Sequence, residues 1–85
     1  MINKRFAMME KFIIEEWDLS MVLTPNDIND KVFRSTNKIA RYYAQIFVDK
    51  GLLCRVVIDG RIHYTRGEWY LLLKKYSSLN DVEIK

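Results

Sequence analysis

The sequence contains little of what usually marks a metal, disulfide or membrane protein. Its 85 residues include one cysteine and one histidine, which excludes an intramolecular disulfide and falls short of the ligand set of a zinc site. Three glycines and one proline, with 49% hydrophobic residues, exclude a disordered composition. No stretch approaches the roughly 18 uncharged apolar residues of a membrane span. We therefore expect one cytoplasmic domain, residues 1–85, without metal or cofactor.

The net charge of +3 is unevenly distributed along the chain. Residues 1–30 hold three basic and six acidic side chains, a net charge of −3. Residues 31–66 hold eight Lys or Arg against two Asp, a net charge of +6, and residues 67–85 are balanced. A basic central segment favours an electropositive face that binds a polyanion. The alternative is a solvated face whose acidic partners lie nearby in space.

Three helices and a short strand are predicted before residue 51. Apolar residues at helical spacing from Phe6 predict a first helix that ends near Trp17. The run Met21 to Leu23 predicts a short strand, and Thr24 with Pro25 predicts the start of a second helix that lasts until about Phe33. Ser35 and Thr36 are N-cap candidates for a third helix, 37–50, which Gly51 terminates.

A hairpin and a last helix follow. Leu53 to Ile58 and Arg61 to Thr65 flank Asp59-Gly60, a dipeptide suited to a type I′ turn. In this register the positions of each opposed pair sum to 119. One face then carries Leu53, Val57, Ile62 and Tyr64 toward the core, and Arg61 and His63 point the other way. Residues 67–76 predict a helix with Trp69, Leu72, Leu73 and Tyr76 on one side, before a polar tail, 77–85, expected to fray.

This order of elements is that of an α+β winged helix-turn-helix. The segments Thr36 to Tyr43, Asp49 to Arg55 and Gly60 to Tyr64 resemble, respectively, a recognition helix, the turn into a wing and the returning wing strand. The run Ala40-Arg41-Tyr42-Tyr43 is similar to small bacterial regulators of fimbrial operons, the PapI and FaeA type. The resemblance covers residues 6–65 and implies a transcriptional regulator that inserts helix 37–50 into the major groove of double-stranded DNA.

The residues of the third helix support the same reading independently. Helical spacing places Lys38, Arg41, Tyr42, Gln45 and Asp49 on one outward stripe, opposite the apolar stripe. Arginine can donate bidentately to guanine, and glutamine can pair with adenine. Ser35, Thr36 and Asn37 lie at the helix N-terminus, where free N–H groups suit a backbone phosphate. The alternative is that these cations only solubilise the helix and the hydroxyls only cap it.

Hairpin residues complete the predicted DNA-binding set. Arg61 and His63 are placed to enter a minor groove or to contact phosphates. Arg55 shares the inward face with Tyr64, so an arginine stem packed on the phenol ring is an equal alternative. Lys31 and Arg34 flank the turn between the central helices, where solvated charges are the simpler interpretation.

Other functions receive weaker support from the sequence. Cys54 and His63 are diagonal neighbours on one hairpin face, but no acid or amide follows to orient the imidazole, so we predict no enzyme. A winged-helix module that binds protein instead of DNA is the alternative, favoured by 13% aromatic residues. The apolar stripes of the first and last helices either pack together within the monomer, which the sequence favours, or form a homodimer surface.

Overall fold

The computed structural model describes residues 3–66 and the backbone strand 82–84, and within them the architecture is α+β. Helices α1 (Lys4–Glu15), α2 (Pro25–Ile28) and α3 (Asn37–Asp49) accompany an antiparallel sheet. The sheet contains β1 (Val22–Leu23), β2 (Leu53–Ile58), β3 (Arg61–Arg66) and β4 (Val82–Ile84), in the order β1-β3-β2-β4. The predicted helix 67–76 lies outside the described residues, and so does the predicted pairing or dimer surface of the first and last helices.

Helix α1 begins and ends two residues earlier than its apolar pattern predicts. Asn3 is the N-cap, because its side-chain oxygen accepts hydrogen bonds from the amides of Arg5 (3.0 Å) and Phe6 (3.2 Å). Trp17 lies beyond the helix end, yet it is buried, and its Nε1–H donates to the Met21 carbonyl over 3.1 Å. The indole therefore continues the apolar stripe after the helical backbone has stopped.

The second helical segment has the predicted extent but an unpredicted last turn. Thr24 and Asp27 form a capping box, and Pro25 occupies the first turn. From Asn29 to Phe33 the backbone is π-helical, and the Arg34 amide donates to the Asn29 carbonyl over 2.6 Å. Arg34 has a left-handed backbone, with φ of 50°. This wider turn ends the segment and sets the direction in which the chain enters α3.

The hairpin has the predicted register throughout. Its pairs run from Leu53 with Arg66 to Ile58 with Arg61. The turn residues Asp59 and Gly60 have φ values of 52° and 76°, as a type I′ turn requires. Strand β1 pairs with β3. The expectation of a fraying tail is wrong for residues 82–84, whose backbone pairs with β2 opposite residues 56–58.

One core unites the helices with the inner face of the hairpin. Phe6 of α1 stacks on Phe47 of α3 with ring centroids 4.9 Å apart. Leu53 and Tyr64 of the predicted inner face are buried in this core, whereas Val57 and Ile62 are half-buried. The buried members of the core are Met9, Phe12, Ile13, Trp17, Leu23, Ile28, Ala40, Tyr43, Ala44, Phe47, Leu53 and Tyr64.

The residues on the opposite face of the hairpin differ in their exposure to solvent. Arg61 is exposed, but Val56 and Thr65 on the same face are fully buried and lie outside the core cluster. Strict alternation assigns a side chain to a face, but it does not determine whether that face is covered. Arg61 and His63 both lie on the predicted outward face, where Arg61 is exposed and His63 is half-buried.

Candidate nucleic-acid interface

Helix α3 is fixed in the fold from its first turn onward. The Thr36 hydroxyl accepts a hydrogen bond from the Ile39 amide over 3.2 Å, which caps the helix. The buried side chains Ala40, Tyr43, Ala44 and Phe47 then hold one face against the core. Gly51, with φ of 82°, ends the helix after the C-cap Lys50. The remaining face is consequently presented to solvent in a defined orientation.

The predicted stripe lies together on that solvent-facing side. Lys38, Arg41 and Asp49 are exposed, Tyr42 is 63% exposed, and Gln45 is half-buried. Gln45 Nε2 donates to Asp49 Oδ1 over 3.0 Å, so part of the amide's hydrogen-bonding capacity is used within the helix. The two cations and the phenol all lie in the first half of α3 and are exposed.

A groove of about 800 Å³ separates the outer face of α3 from the inner face of the hairpin. Arg55 and Tyr64, which are directly opposed across β2 and β3, line its hairpin side. Its full lining is Asn37, Lys38, Arg41, Tyr42, Gln45, Ile46, Asp49, Arg55, Ile62 and Tyr64. The groove is thus lined both by the predicted outward stripe of α3 and by hairpin residues that the sequence only weakly indicates as DNA-binding.

Arg55 takes the inward position predicted from the register. Its Nε atom is buried and has no hydrogen-bond partner. Burial raises the pKa of the Tyr64 hydroxyl, while the nearby positive charges of Arg41 and Arg55 and a hydrogen bond with Arg41 act to lower it. The two guanidinium groups therefore lie near one phenol. The signal for this role was the cross-strand pairing of Arg55 with Tyr64.

A second groove of about 550 Å³ lies between the hairpin turn and the N-termini of α2 and α3. Arg61 lines it from the hairpin, and Asn37 and Arg41 line it from α3. Exposed Asn26, in the first turn of α2, also lines it and was not among the residues predicted to bind DNA. The Thr-Pro-Asn sequence, which predicts a helix start, could have indicated an exposed polar side chain there.

Three predicted residues, Ser35, Thr36 and His63, do not line either groove. Ser35 donates its amide N–H to Asn29 Oδ1 over 2.8 Å, so this amide is not free for a phosphate. His63 is half-buried, and its Nδ1 lies 2.9 Å from the Arg61 carbonyl oxygen. Thr36 uses its hydroxyl as a cap. Among residues 3–66, the amides of Asn37 and Lys38 make no hydrogen bond, so the free N–H groups are those of the first two helical residues.

Within residues 3–66, no carboxylate forms an ion pair with the cations around the two grooves. The one ion pair of these residues joins Lys11 to Glu15, both in α1, over 4.0 Å. Neither Arg41 nor Arg55 nor Arg61 pairs with a carboxylate of this part of the chain. Among the described residues, no ion pair therefore supports the alternative of a solvated face with acidic partners nearby.

Other chemistry finds little support in this part of the chain. Within residues 3–66, no group of three or more His, Cys, Asp or Glu side chains could hold a metal ion. Burial raises the pKa of the Cys54 thiol, which disfavours the nucleophilic thiolate.

The described helices include none that is both long and apolar enough to cross a bilayer.

Comparison with protein-family models, with curated proteins and with solved structures finds no match to this chain, so its functional assignment depends on the geometry above.

Proposed function

We propose that the protein is a winged helix-turn-helix DNA-binding protein that acts as a transcriptional regulator. In this proposal α3 enters the major groove of double-stranded DNA and the β2–β3 hairpin is the wing. The observation that carries the proposal is a set of four cations that line two adjoining grooves and form no ion pair with a carboxylate of residues 3–66, namely Lys38, Arg41, Arg55 and Arg61.

The shape of this side suits duplex DNA. The major groove is wide enough to admit one α-helix, and α3 presents a full outer face along 13 residues. Asn37 and Arg41 line both grooves, so the first half of α3 contributes to each of them. A recognition helix that contacts base edges near its N-terminus would use this same half.

The hairpin is placed to contact DNA beside the helix. Its turn residues Asp59 and Gly60 are exposed, and Arg61 follows directly after them. Arg61 lines the groove next to the start of α2, where Asn26 is exposed. Side chains at such positions contact phosphates and fix the orientation of the helix in the groove.

The proposal is tested by fluorescence anisotropy on a random-sequence duplex over a salt series. The test variant is Lys38→Ala/Arg41→Ala, and the matched control is Lys4→Ala/Arg5→Ala, which also removes one lysine and one arginine from the first half of a helix. We expect only the α3 pair to weaken binding and to flatten the dependence of affinity on salt.

Other results would remove the proposal. If the two pairs behave alike, α3 is not the DNA-binding surface. If the wild-type protein binds no duplex at low salt, the alternative of a protein-binding module takes precedence, since an apolar interface responds little to salt.

A further inference from the structure

The Arg55 side chain contains a buried hydrogen-bond donor that has no acceptor in the described part of the fold. Its side chain lies on the inner face of β2, opposite Tyr64, and its Nε atom is buried without a partner. Buried polar atoms in folded proteins nearly always have a hydrogen-bond partner, and a charged donor left without one is costly. The atom therefore indicates a partner that binds from the groove.

Arg41 approaches the same point from the other wall. Both arginines and the Tyr64 hydroxyl belong to the lining of the groove between α3 and the hairpin. Lys38 adds a third positive charge to this lining, and Asp49 is its one carboxylate, with one oxygen already bonded to Gln45. The described lining thus carries two more positive than negative charges, and two guanidinium groups converge beside one phenol.

We propose that this groove binds one phosphate oxyanion, held between the Arg41 and Arg55 guanidinium groups beside the Tyr64 hydroxyl. A planar guanidinium donates two parallel N–H bonds to phosphate oxygens, and binding would give the buried Nε–H of Arg55 its acceptor. The Tyr64 hydroxyl supplies an O–H donor, since a tyrosine with its ordinary pKa of about 10 is protonated at neutral pH.

The geometry of DNA identifies the source of this phosphate. This step rests on the proposed function. One sugar-phosphate strand separates a major groove from the adjacent minor groove. If α3 occupies the major groove and the hairpin occupies the minor groove, the sugar-phosphate strand passes between α3 and the hairpin. Arg41 and Arg55 line the protein groove at that place. Arg55 then contacts DNA although it lies on the inner face of the hairpin, and both arginines position the backbone instead of reading bases.

The first test compares Arg55→Gln with Arg5→Gln, a control that removes one exposed positive charge from α1. Both variants and the wild type are titrated with a random-sequence duplex over a salt series. We expect Arg55→Gln to reduce the slope of log affinity against log salt by about 0.9, the value for one phosphate contact, on every duplex tested. We expect Arg5→Gln to leave the slope unchanged.

The second test uses the wild-type chain, so it does not depend on a variant folding. The ¹⁵N–¹H signal of Arg55 Nε is followed by NMR while duplex DNA, or inorganic phosphate alone, is added. A shift with duplex, without one at Arg5, supports the proposal and identifies DNA as the source. A shift with phosphate in a protein that binds no duplex supports the oxyanion site but overturns the proposed function.

Two outcomes overturn the oxyanion site. If the wild type binds duplex while the Arg55 signal does not move and Arg55→Gln matches Arg5→Gln, the site is wrong and the proposed function stands. If neither duplex nor phosphate moves the signal and no duplex binds, both proposals fail.

Discussion

Helices α1 and α3 pack on the same core and carry the same net charge, but they place that charge in different surroundings. Residues 4–15 contain three basic and two acidic side chains, and residues 37–49 contain two and one, so each helix has a net charge of +1. In α1, Lys11 pairs with Glu15, and the groove beside them also contains Glu16. In α3, Lys38 and Arg41 line grooves to which the hairpin adds Arg55 and Arg61.

This difference shows that the charge of an element says little about its function until its neighbours are known. The hairpin adds to the modest charge of α3, because β2 contributes Arg55 to one of the grooves that α3 lines and β3 contributes Arg61 to the other. In α1, by contrast, one of the three cations, Lys11, has a carboxylate within ion-pair distance. Pairwise electrostatic effects of this kind depend on distances of a few ångströms, which a count along the sequence cannot supply.

The largest expected effect tests whether the two helices share one core. Phe47 is fully buried and stacks on Phe6 of α1, so Phe47→Ala should lower the free energy of unfolding by about 3–5 kcal/mol. Leu19→Ala is the control, since this side chain is 60% exposed and its loss should change stability by less than about 0.5 kcal/mol. Chemical denaturation measures both. Equal effects would contradict the shared core.

A smaller effect should distinguish the two N-caps. Thr36 caps α3 through one hydrogen bond, so Thr36→Ala should cost about 1 kcal/mol of stability. Asn3 caps α1 and also contacts the Tyr43 hydroxyl of α3 over 3.1 Å, so Asn3→Ala should cost about 2 kcal/mol. Chemical denaturation of both variants checks which one loses more stability. When both substitutions are made in a Tyr43→Phe background, most of the difference between their stability losses should disappear. A reversed order would show that the contact with Tyr43 contributes nothing.

A third prediction concerns the hairpin's contribution to the positive surface. Arg61 is exposed beside the start of both central helices, so Arg61→Ala should remove a phosphate contact. Binding should weaken alike on two unrelated duplexes, with the salt slope reduced by about 1. Anisotropy titrations measure this. A loss confined to one duplex would instead make Arg61 a base-reading residue.

The smallest effect is a dependence of stability on pH at the hairpin wall of the groove. Burial raises the pKa of Tyr64 in the folded protein, although Arg41 and Arg55 oppose this rise. The unfolded chain therefore loses this proton first. The resulting stability is fully present below the ordinary tyrosine pKa of about 10 and is lost as pH increases through the folded value. Denaturant midpoints in this range should decrease more for the wild type than for Tyr64→Phe.

Local signals in the sequence account for much of the fold. Thr24-Pro25, Thr36 and Gly51 fix helix ends through short-range hydrogen bonds and backbone preferences, so they were predictable. Asp59-Gly60 fixes the turn, and the turn then fixes the register of the whole hairpin. The outward stripe of α3 follows from helical period alone, which is why Lys38, Arg41 and Tyr42 were found together.

The remainder depends on tertiary contacts that no local pattern encodes. Trp17 is buried beyond the end of α1, where the Arg66 side chain donates to its carbonyl from 49 residues away. Strand β4 forms because residues 82–84 meet β2, far away in the sequence. The convergence of Arg41 with Arg55 requires α3 and the hairpin to be packed first. Its only sequence signal was the pairing of Arg55 with Tyr64.

The most direct test of the central claim is to map duplex binding on the backbone by NMR. Amide chemical shifts of the wild-type protein are recorded with and without a random-sequence duplex. We expect the largest changes in the first half of α3, around Lys38 and Arg41, and at Arg61 in the hairpin, with α1 little affected. Changes of equal size along α1 would contradict it, because the two helices carry the same net charge and differ only in what surrounds them.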